Sequence, residues 1–329
     1  MKLNTVSLIF LLYGVYWVAF VINLNSLEKN LLWESLKSPE LVHYGRLICS
    51  NNDQLTEKAG FIKRILYSII MLFVWILLPL LSLGSMIWYL DFRAFKYPLS
   101  GLKKSGIYSV AVNIKHGVTL DDINQSKLDW DTLFTANGVS TPKVYGILKD
   151  SKFEGEIPEN QPLIWKSNHA AMGKGIFPFQ GLDKAPTKGV YLLQERVQNC
   201  SGHAEHIRII TRTIQKPSDN PIVDVVHFSQ KKGDSGKISS NFHQGGQACF
   251  LKRQPCHLPS NISDKLDKVK EIAVMLQSKT DIYSVAWDIV FDCQNYYFLE
   301  GNVAYDFFLT KSGFPNYIKD LEQYLKVIE

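Results

Sequence analysis

Three oxygen-bearing side chains near the C-terminal end of the chain stand at a spacing that suits a hard divalent cation. Asp288 lies in the run IYSVAWDIVFD, and Glu300 and Asn302 lie in NYYFLEGNV. Both runs are rich in β-branched and aromatic residues and read as strands. If Cys293, Gln294 and Asn295 form the loop of a hairpin, Asp288 falls directly opposite Glu300. Asn302, two residues on, projects to the same face as Glu300. Two carboxylates and one amide oxygen then converge, a donor set suited to Mg²⁺ that also touches phosphates. A solvated polar hairpin face is the plainer reading of these residues. The apolar flanks Val285, Ala286, Ile289, Phe291, Phe298 and Leu299 speak for a buried sheet instead. A register slip of one residue would undo the convergence.

A second group surrounds Lys166, which ends the short apolar run PLIWK and is followed by SNHAAMGKGIF. Gly173 and Gly175 allow a loop backbone to approach an anion closely. No GK[ST] is present, and strands rather than a strand and a helix flank the loop, so it is not a Walker loop. The plainer readings are an ordinary hairpin turn and a lysine whose stem reaches along a strand to water.

The elements that must position these groups follow from patterning. KLDWDTLFTANGV has helical spacing through Leu128, Leu133 and Phe134, and Asn137-Gly138 supplies a stop. Strand-like runs follow: KVYGIL, PLIWKS, GIFPF, VYLLQERV, HIRIITRTI and IVDVVHFS. Residues 263–279 read as a second amphipathic helix before the final strand pair. The pattern predicts a mixed α+β or α/β domain with antiparallel sheet at its end.

With 46% hydrophobic and 20% charged residues in 329, and a net charge of +5, the chain is that of a folded protein rather than a disordered one. The length allows two domains, or one large domain with an appendage. No basic stripe with interleaved aromatics appears, and the pairs Lys103-Lys104 and Lys231-Lys232 read as solvated surface, so no nucleic-acid partner is expected. Cys49, Cys200, Cys249, Cys256 and Cys293 are scattered and odd in number, with no CxxC pair. That predicts neither a structural zinc site nor a disulfide scaffold, and suits a reducing compartment.

The apolar excess lies before Leu90. Residues 3–24 and 65–90 are each long and uncharged enough to span a bilayer as a helix, with Pro79 a tolerated kink. Trp17, Trp88 and Tyr89 suit an interfacial belt. A signal peptide is the alternative for the first run, and a buried core helix for the second. The expected organisation is a membrane anchor over 1–98, two transmembrane helices joined by a short loop, followed by a catalytic domain over 99–329. Arg93, Lys96, Lys103 and Lys104 after the second run, set against Lys58, Lys63 and Arg64 before it, favour a cytoplasmic C-terminus only slightly. The expected location is therefore the inner (cytoplasmic) membrane, multi-pass, with the catalytic domain facing the cytoplasm.

In order, SKLDWDTLFTANGVSTPKVYGIL, PLIWKSNHAAMGKGIF, YLLQERV, IRIITRT, NFHQGG and VAWDIVFD with YYFLEGN resemble the ATP-grasp superfamily. The nearest resemblance is to its members associated with surface polysaccharide synthesis. The pieces cover residues 126–302, and six in the right order are far more specific than any one. The resemblance implies two α+β lobes gripping ATP between antiparallel sheets, with ATP and Mg²⁺ as cofactors. It makes Lys127 and Lys166 the nucleotide lysines, and His169 to Gly175, including Gly173 and Lys174, the loop closing over the phosphates. Gln194 and Glu195 become the hinge that meets adenine and ribose. Arg208 becomes the arginine that steadies a phosphorylated intermediate, and Asp288, Glu300 and Asn302 become the magnesium ligands. Asn241 and Gly245-Gly246 match a stretch on the substrate side. Glu205-His206 stands where the family usually has Asn-Thr, and the segment from Glu195 to Arg208 is short, which leaves the ribose contact open. His206 and His243 face either substrate or the protein interior.

Such a site implies a carboxylate–amine ligase working through an acyl phosphate. Its substrates would be small molecules, or lipid- or glycan-linked groups of the cell envelope, carrying the carboxylate and the accepting amine. A kinase of a sugar or lipid hydroxyl could use the same groups. A nucleotide-binding scaffold would have no need of the acidic set.

Overall fold

The protein is described here from a computed structural model, which covers residues 106–118, 126–169, 175–215, 222–235, 247–250 and 264–305, with scattered positions before 93 and after 318. Helix α1 spans Gly106–Lys115 and α2 spans Lys127–Ala136. Strands β1 (Val144–Lys149), β2 (Lys152–Gly155), β3 (Leu163–Ser167), β4 (Ile176–Pro178) and β5 (Val190–Glu195) follow. Then come β6 (His203–Gln215), β7 (Ile222–Ser235), β8 (Gln247–Phe250), helix α3 (Leu266–Ser278), β9 (Ser284–Phe291) and β10 (Tyr296–Asn302). The strands form two five-stranded sheets, ordered β2-β1-β5-β3-β4 and β10-β9-β6-β7-β8. Every strand pairing is antiparallel, so the class is α+β.

Helix α2 starts where a capping box forms: the Ser126 hydroxyl accepts from the Asp129 amide, and the Asp129 carboxylate accepts from the Ser126 amide. It ends at Asn137, whose amide bonds back to the last carbonyls, and Gly138 takes the left-handed conformation at φ +67°. Trp130 and Phe134, one turn apart on α2, pack on Trp287 of β9, and Phe134 also meets Phe298 of β10. Val269, Ala273 and Leu276 of α3 complete this core against Ile207 and Ile209 of β6. Helix α2 precedes the first sheet in the chain yet packs on the second. That carries its N-terminal residue, Lys127, to the junction between them.

Helix α1 joins the same core through Val110 and Ile114, and through the hydrogen bonds of Asn113. The Asn113 amide donates to the Ser284 and Val303 carbonyls and accepts from the Ser284 amide, at 2.9 to 3.3 Å. The first sheet has its own smaller core of Leu148, Leu163, Trp165, Tyr191 and Leu193.

Two expectations are corrected. Among the described residues no helix is long and apolar enough to cross a membrane, which overturns the multi-pass inner-membrane location. Helices α1, α2 and α3 have 10, 10 and 13 residues. They therefore reach roughly 15–20 Å against a bilayer core of about 30 Å. The runs 3–24 and 65–90 lie almost wholly outside the described residues, as does the 25–64 loop. The cysteines are not all reduced: Cys200 and Cys293 form a disulfide with Cα atoms 5.1 Å apart. Residues 93 apart in sequence meet because the linker after β5 turns back beside the β9–β10 hairpin, a proximity that Cys spacing does not reveal.

Candidate functional site

The second sheet presents its helix-free face to the first. Along β6 and β9 the core-facing residues are Ile207, Ile209, Val285, Trp287 and Ile289, so Arg208 and Asp288 point the other way. Register makes Arg208 and Asp288 direct partners and Asp288 and Glu300 direct partners, a row across three strands.

The pairing of Asp288 with Glu300 matches the expected hairpin, but by a different route. Near the tip the strands pair Tyr296 with Phe291 and Phe298 with Ile289, one residue out of the expected register. The loop is Asp292–Asn295, and Asp292 Oδ1 accepts from the amides of Gln294 and Asn295. A bulge between Phe298 and Glu300 then takes up one residue and restores the expected partners. The bulge also divides the faces of β10. Phe298 is fully buried in the helix-side core, and a Cβ on Gly301 would come within 2.8 Å of the Trp130 ring. Glu300 and Asn302 are thereby turned to the opposite face.

Lys166 reaches that face from β3 of the other sheet. Its Nζ lies 3.5 Å from Glu300 Oε2 and donates to the Leu299 carbonyl at 3.4 Å. Trp165, its neighbour, is buried in the first sheet's core, so alternation sends Lys166 toward β10. Lys127 Nζ lies 3.8 Å from the same Glu300 oxygen. Arg208 grips Asp288 with both prongs, Nε to Oδ1 at 2.7 Å and Nη2 to Oδ2 at 2.6 Å. Asn302 Nδ2 donates to Asp288 Oδ2 at 3.1 Å and to Glu300 Oε1 at 3.5 Å. Burial raises the Glu300 carboxyl, but Lys166 and Lys127 pull harder, and the net effect holds it below the ordinary 4.5.

Other expected residues fall where the fold permits. Gln194 and Glu195 end β5, with Leu192 opposite Lys166 and Glu195 opposite Leu163, about 10 Å further along the strands. The Gln194 side chain is committed to the Pro142 carbonyl at 3.1 Å. His169 follows Asn168, whose Nδ2 lies 3.2 Å from its Nε2, and Gly175 closes the base of the loop through the Ser167 amide at 2.8 Å. Gly173, Lys174, Asn241, His243, Gly245 and Gly246 lie outside the described residues. His206 sits beside Asp288 on the site face, 3.6 Å from Oδ1.

Two residues escaped the sequence reading. Asn168 accepts from the Lys127 amide through its carbonyl at 3.0 Å and from the Leu128 amide through Oδ1 at 3.1 Å. It thus docks the first turn of α2 onto the end of β3. Asp131, one turn after Lys127, accepts from Thr141 Oγ1 at 2.9 Å. Burial raises its carboxyl, with Thr141 and Lys166 opposing. The Lys127–Asp131 spacing of four was a readable signal, whereas nothing in the sequence marked Asn168.

Among the described residues no group of three or more His, Cys, Asp or Glu is arranged to hold a metal ion. The residues expected to hold magnesium, Asp288, Glu300 and Asn302, stand together on this face as two carboxylates and one amide. As oxygen donors, two carboxylates and an amide suit a hard cation that takes its other ligands from phosphates and water, although here the amide turns Nδ2 to both carboxylates.

No protein-family model matches the chain, and no curated protein matches it. Several solved structures are similar. D-alanine–D-alanine ligase from Bacillus anthracis, solved with ATP, is 13% identical with a TM-score of 0.40, over 64% of this chain and 69% of that one. L-amino acid ligase from Bacillus licheniformis is 17% identical with a TM-score of 0.39, over 68% of this chain and 48% of that one, so less than half of its length is spanned. The ATP-grasp ligase PsnB, solved with a minimal precursor, is 14% identical with a TM-score of 0.38, over 73% of this chain and 75% of that one. All three are ligases. At these identities and TM-scores the likenesses carry no argument about this chain's activity, which rests on its own residues.

Proposed function

We propose that the chain is an ATP-dependent, ADP-forming carboxylate–amine ligase. The observation that supports this most is the convergence of Lys166 and Lys127 with Arg208 on the carboxylates of Asp288 and Glu300, at the junction of two antiparallel sheets. Such a set neutralises phosphate charge and offers carboxylates to a cation, and it includes no protein nucleophile.

In this reading Lys166 and Lys127 bind phosphate oxygens as point charges, and Arg208 offers a planar fork to the transferred group. Gln194 and Glu195, about 10 Å along the strands, take the base and ribose at the far end of the nucleotide. Asp288, Glu300 and Asn302 would hold Mg²⁺, whose contribution when bound is neutralisation of charge on the transferring phosphoryl group. The substrate carboxylate oxygen attacks the γ-phosphorus as the bond to the β-phosphate oxygen breaks and ADP leaves. The amine nitrogen then attacks the acyl carbon, the bond to the phosphate oxygen breaks, and the nitrogen gives up its proton. Positioning and electrostatics supply the acceleration.

At finer grain, we assign residues 99–329 as the catalytic unit and place the carboxylate or the amine on a glycan or lipid-linked precursor of the cell envelope. Support for this comes from the resemblance of the motifs at 126–302 to the polysaccharide-associated group. The test is ADP and phosphate release by the full chain with MgATP and paired carboxylates and amines, with hydroxylamine as acceptor to trap an acyl phosphate. Lys166→Ala should lower the rate by on the order of 10²–10³. Formation of a hydroxamate supports a ligase. Phosphate transfer to a hydroxyl with no hydroxamate would assign a kinase instead.

A further inference from the structure

The charged groups at the junction of the two sheets are paired with one another. Lys166 and Lys127 share one oxygen of Glu300 at 3.5 and 3.8 Å. Arg208 holds both oxygens of Asp288. Asn302 bridges the two carboxylates. The side chains of these three ion pairs are 6% to 23% exposed, so solvent screens them weakly.

A ligand that engages these groups must compete with the pairs they already form with one another. A polyphosphate arriving alone must draw the lysines from Glu300, which leaves a shielded carboxylate facing Asp288 and the incoming anion. A cation arriving alone must draw the carboxylates away from Lys166, Lys127 and Arg208. Breaking one side of a buried pair carries the full penalty of the stranded charge. When polyphosphate and cation arrive together, each group exchanges one opposite charge for another.

We propose that Glu300 is a built-in counter-anion that masks the phosphate-binding lysines, so that the site admits a polyphosphate only together with a divalent cation. This deepens the nucleotide reading of the site and rests on it for the identity of the ligand. The masking itself depends only on the ion pairs. Its signature is a gain: removing the negative charge from Glu300 should improve the binding of a metal-free anion, where loss of an ordinary metal ligand only weakens binding.

The test is calorimetric titration of the full chain, wild type and Glu300→Gln, with inorganic tripolyphosphate in excess chelator, then with tripolyphosphate and Mg²⁺, then with MgATP. Glu300→Gln should bind metal-free tripolyphosphate about tenfold or more tightly than wild type, and should gain little from added Mg²⁺. Wild type should show the reverse preference, binding the metal-loaded form at least about tenfold more tightly than the bare one. Equal or weaker binding of the bare anion by Glu300→Gln overturns the masking, as does a wild type indifferent to metal. If Glu300→Gln does not fold, Asp288→Asn reports the same release through Arg208, with the same gain expected, and the wild-type metal preference is measured regardless. Should the masking signature appear while MgATP binds no better than magnesium tripolyphosphate, the nucleotide reading fails and the masking stands.

Discussion

Glu300 is the residue at which the two sheets meet, and its ionisation links the site to stability. Burial raises its carboxyl, but Lys166 and Lys127 outweigh burial and hold it below the ordinary 4.5. A depressed folded-state value means the ion pairs stabilise the fold fully above the unfolded value and lose that contribution as pH falls through the folded one. Thermal unfolding of wild type and Glu300→Gln from pH 7 to pH 3 should therefore show the two melting temperatures converging below about pH 4. A gap that stays constant across that range would remove Glu300 from the linkage. Asn168 acts at the same scale without touching the carboxylate. Its side chain caps the Leu128 amide, while the Lys127 amide bonds to its backbone carbonyl, which alanine keeps, so Asn168→Ala should weaken nucleotide binding by loosening the first turn of α2, by about 1–2 kcal/mol. In the Lys127→Ala background the same substitution should cost almost nothing further, because residues acting as one unit are not additive. Full additivity in that cycle would make Asn168 merely structural.

Helix α2 carries Lys127 because its other face, Trp130 and Phe134, is fixed on β9 and β10. The bulge in β10 is what lets that packing coexist with the site: Phe298 and Gly301 face the helix while Glu300 faces the lysines. Gly301→Ala should then be costly although no backbone strain is involved, since its Cβ meets the Trp130 ring at 2.8 Å. A loss of about 1–3 kcal/mol is expected from denaturant midpoints, with partial recovery in Gly301→Ala/Trp130→Phe. No recovery would point away from the contact. At this scale the long elements were legible. The Asn137-Gly138 stop and the apolar alternation around Trp287 and Asp288 announce themselves. The bulge did not, because the alternation of apolar residues near a hairpin tip tolerates either loop length, and the loop adopted packs Phe298 against Phe134 and bonds Asp292 to the amides of Gln294 and Asn295. Strands β2 (KFEG) and β8 (QACF) are too short to show a period. Helix α1 (GIYSVAVNIK) is short and lacks a clear polar face, so the cap-type residues Ser105 and Gly117 at its ends did not single it out, and the bonds of Asn113 to β9 tie it in place. The pairing of the carboxylates was readable; their partnership with cations from the other sheet was not, since it depends on how two sheets face each other.

Across the whole molecule, the chain passes from the first sheet to the second through residues 196–202, and that linker is tied to the hairpin bearing the site. Asn199 donates to the carbonyls of Glu205 and Phe291, at 3.0 and 2.8 Å. The adjacent Cys200 is bonded to Cys293 at the hairpin tip. The crosslink closes a loop of about 93 residues that contains β6, β7, β8, α3 and β9, nearly the whole second sheet. Constraining so long a loop in the unfolded chain stabilises by about 4–5 kcal/mol in the chain-entropy account, with measured values often smaller. Alkylation and peptide mapping without reductant should recover Cys200 and Cys293 as one crosslinked pair. Reduction should then lower the melting temperature by several degrees or more, while the already uncrosslinked Cys293→Ser should melt at the lower temperature with or without reductant. A further drop on reducing Cys293→Ser would place the effect elsewhere in the chain. Binding separates two roles for the bond: if Cys293→Ser retains full affinity for MgATP at a temperature where it is folded, the bond serves stability alone. A weakened affinity under those conditions would show that the hairpin tip must be anchored for Asp288 and Glu300 to meet the lysines.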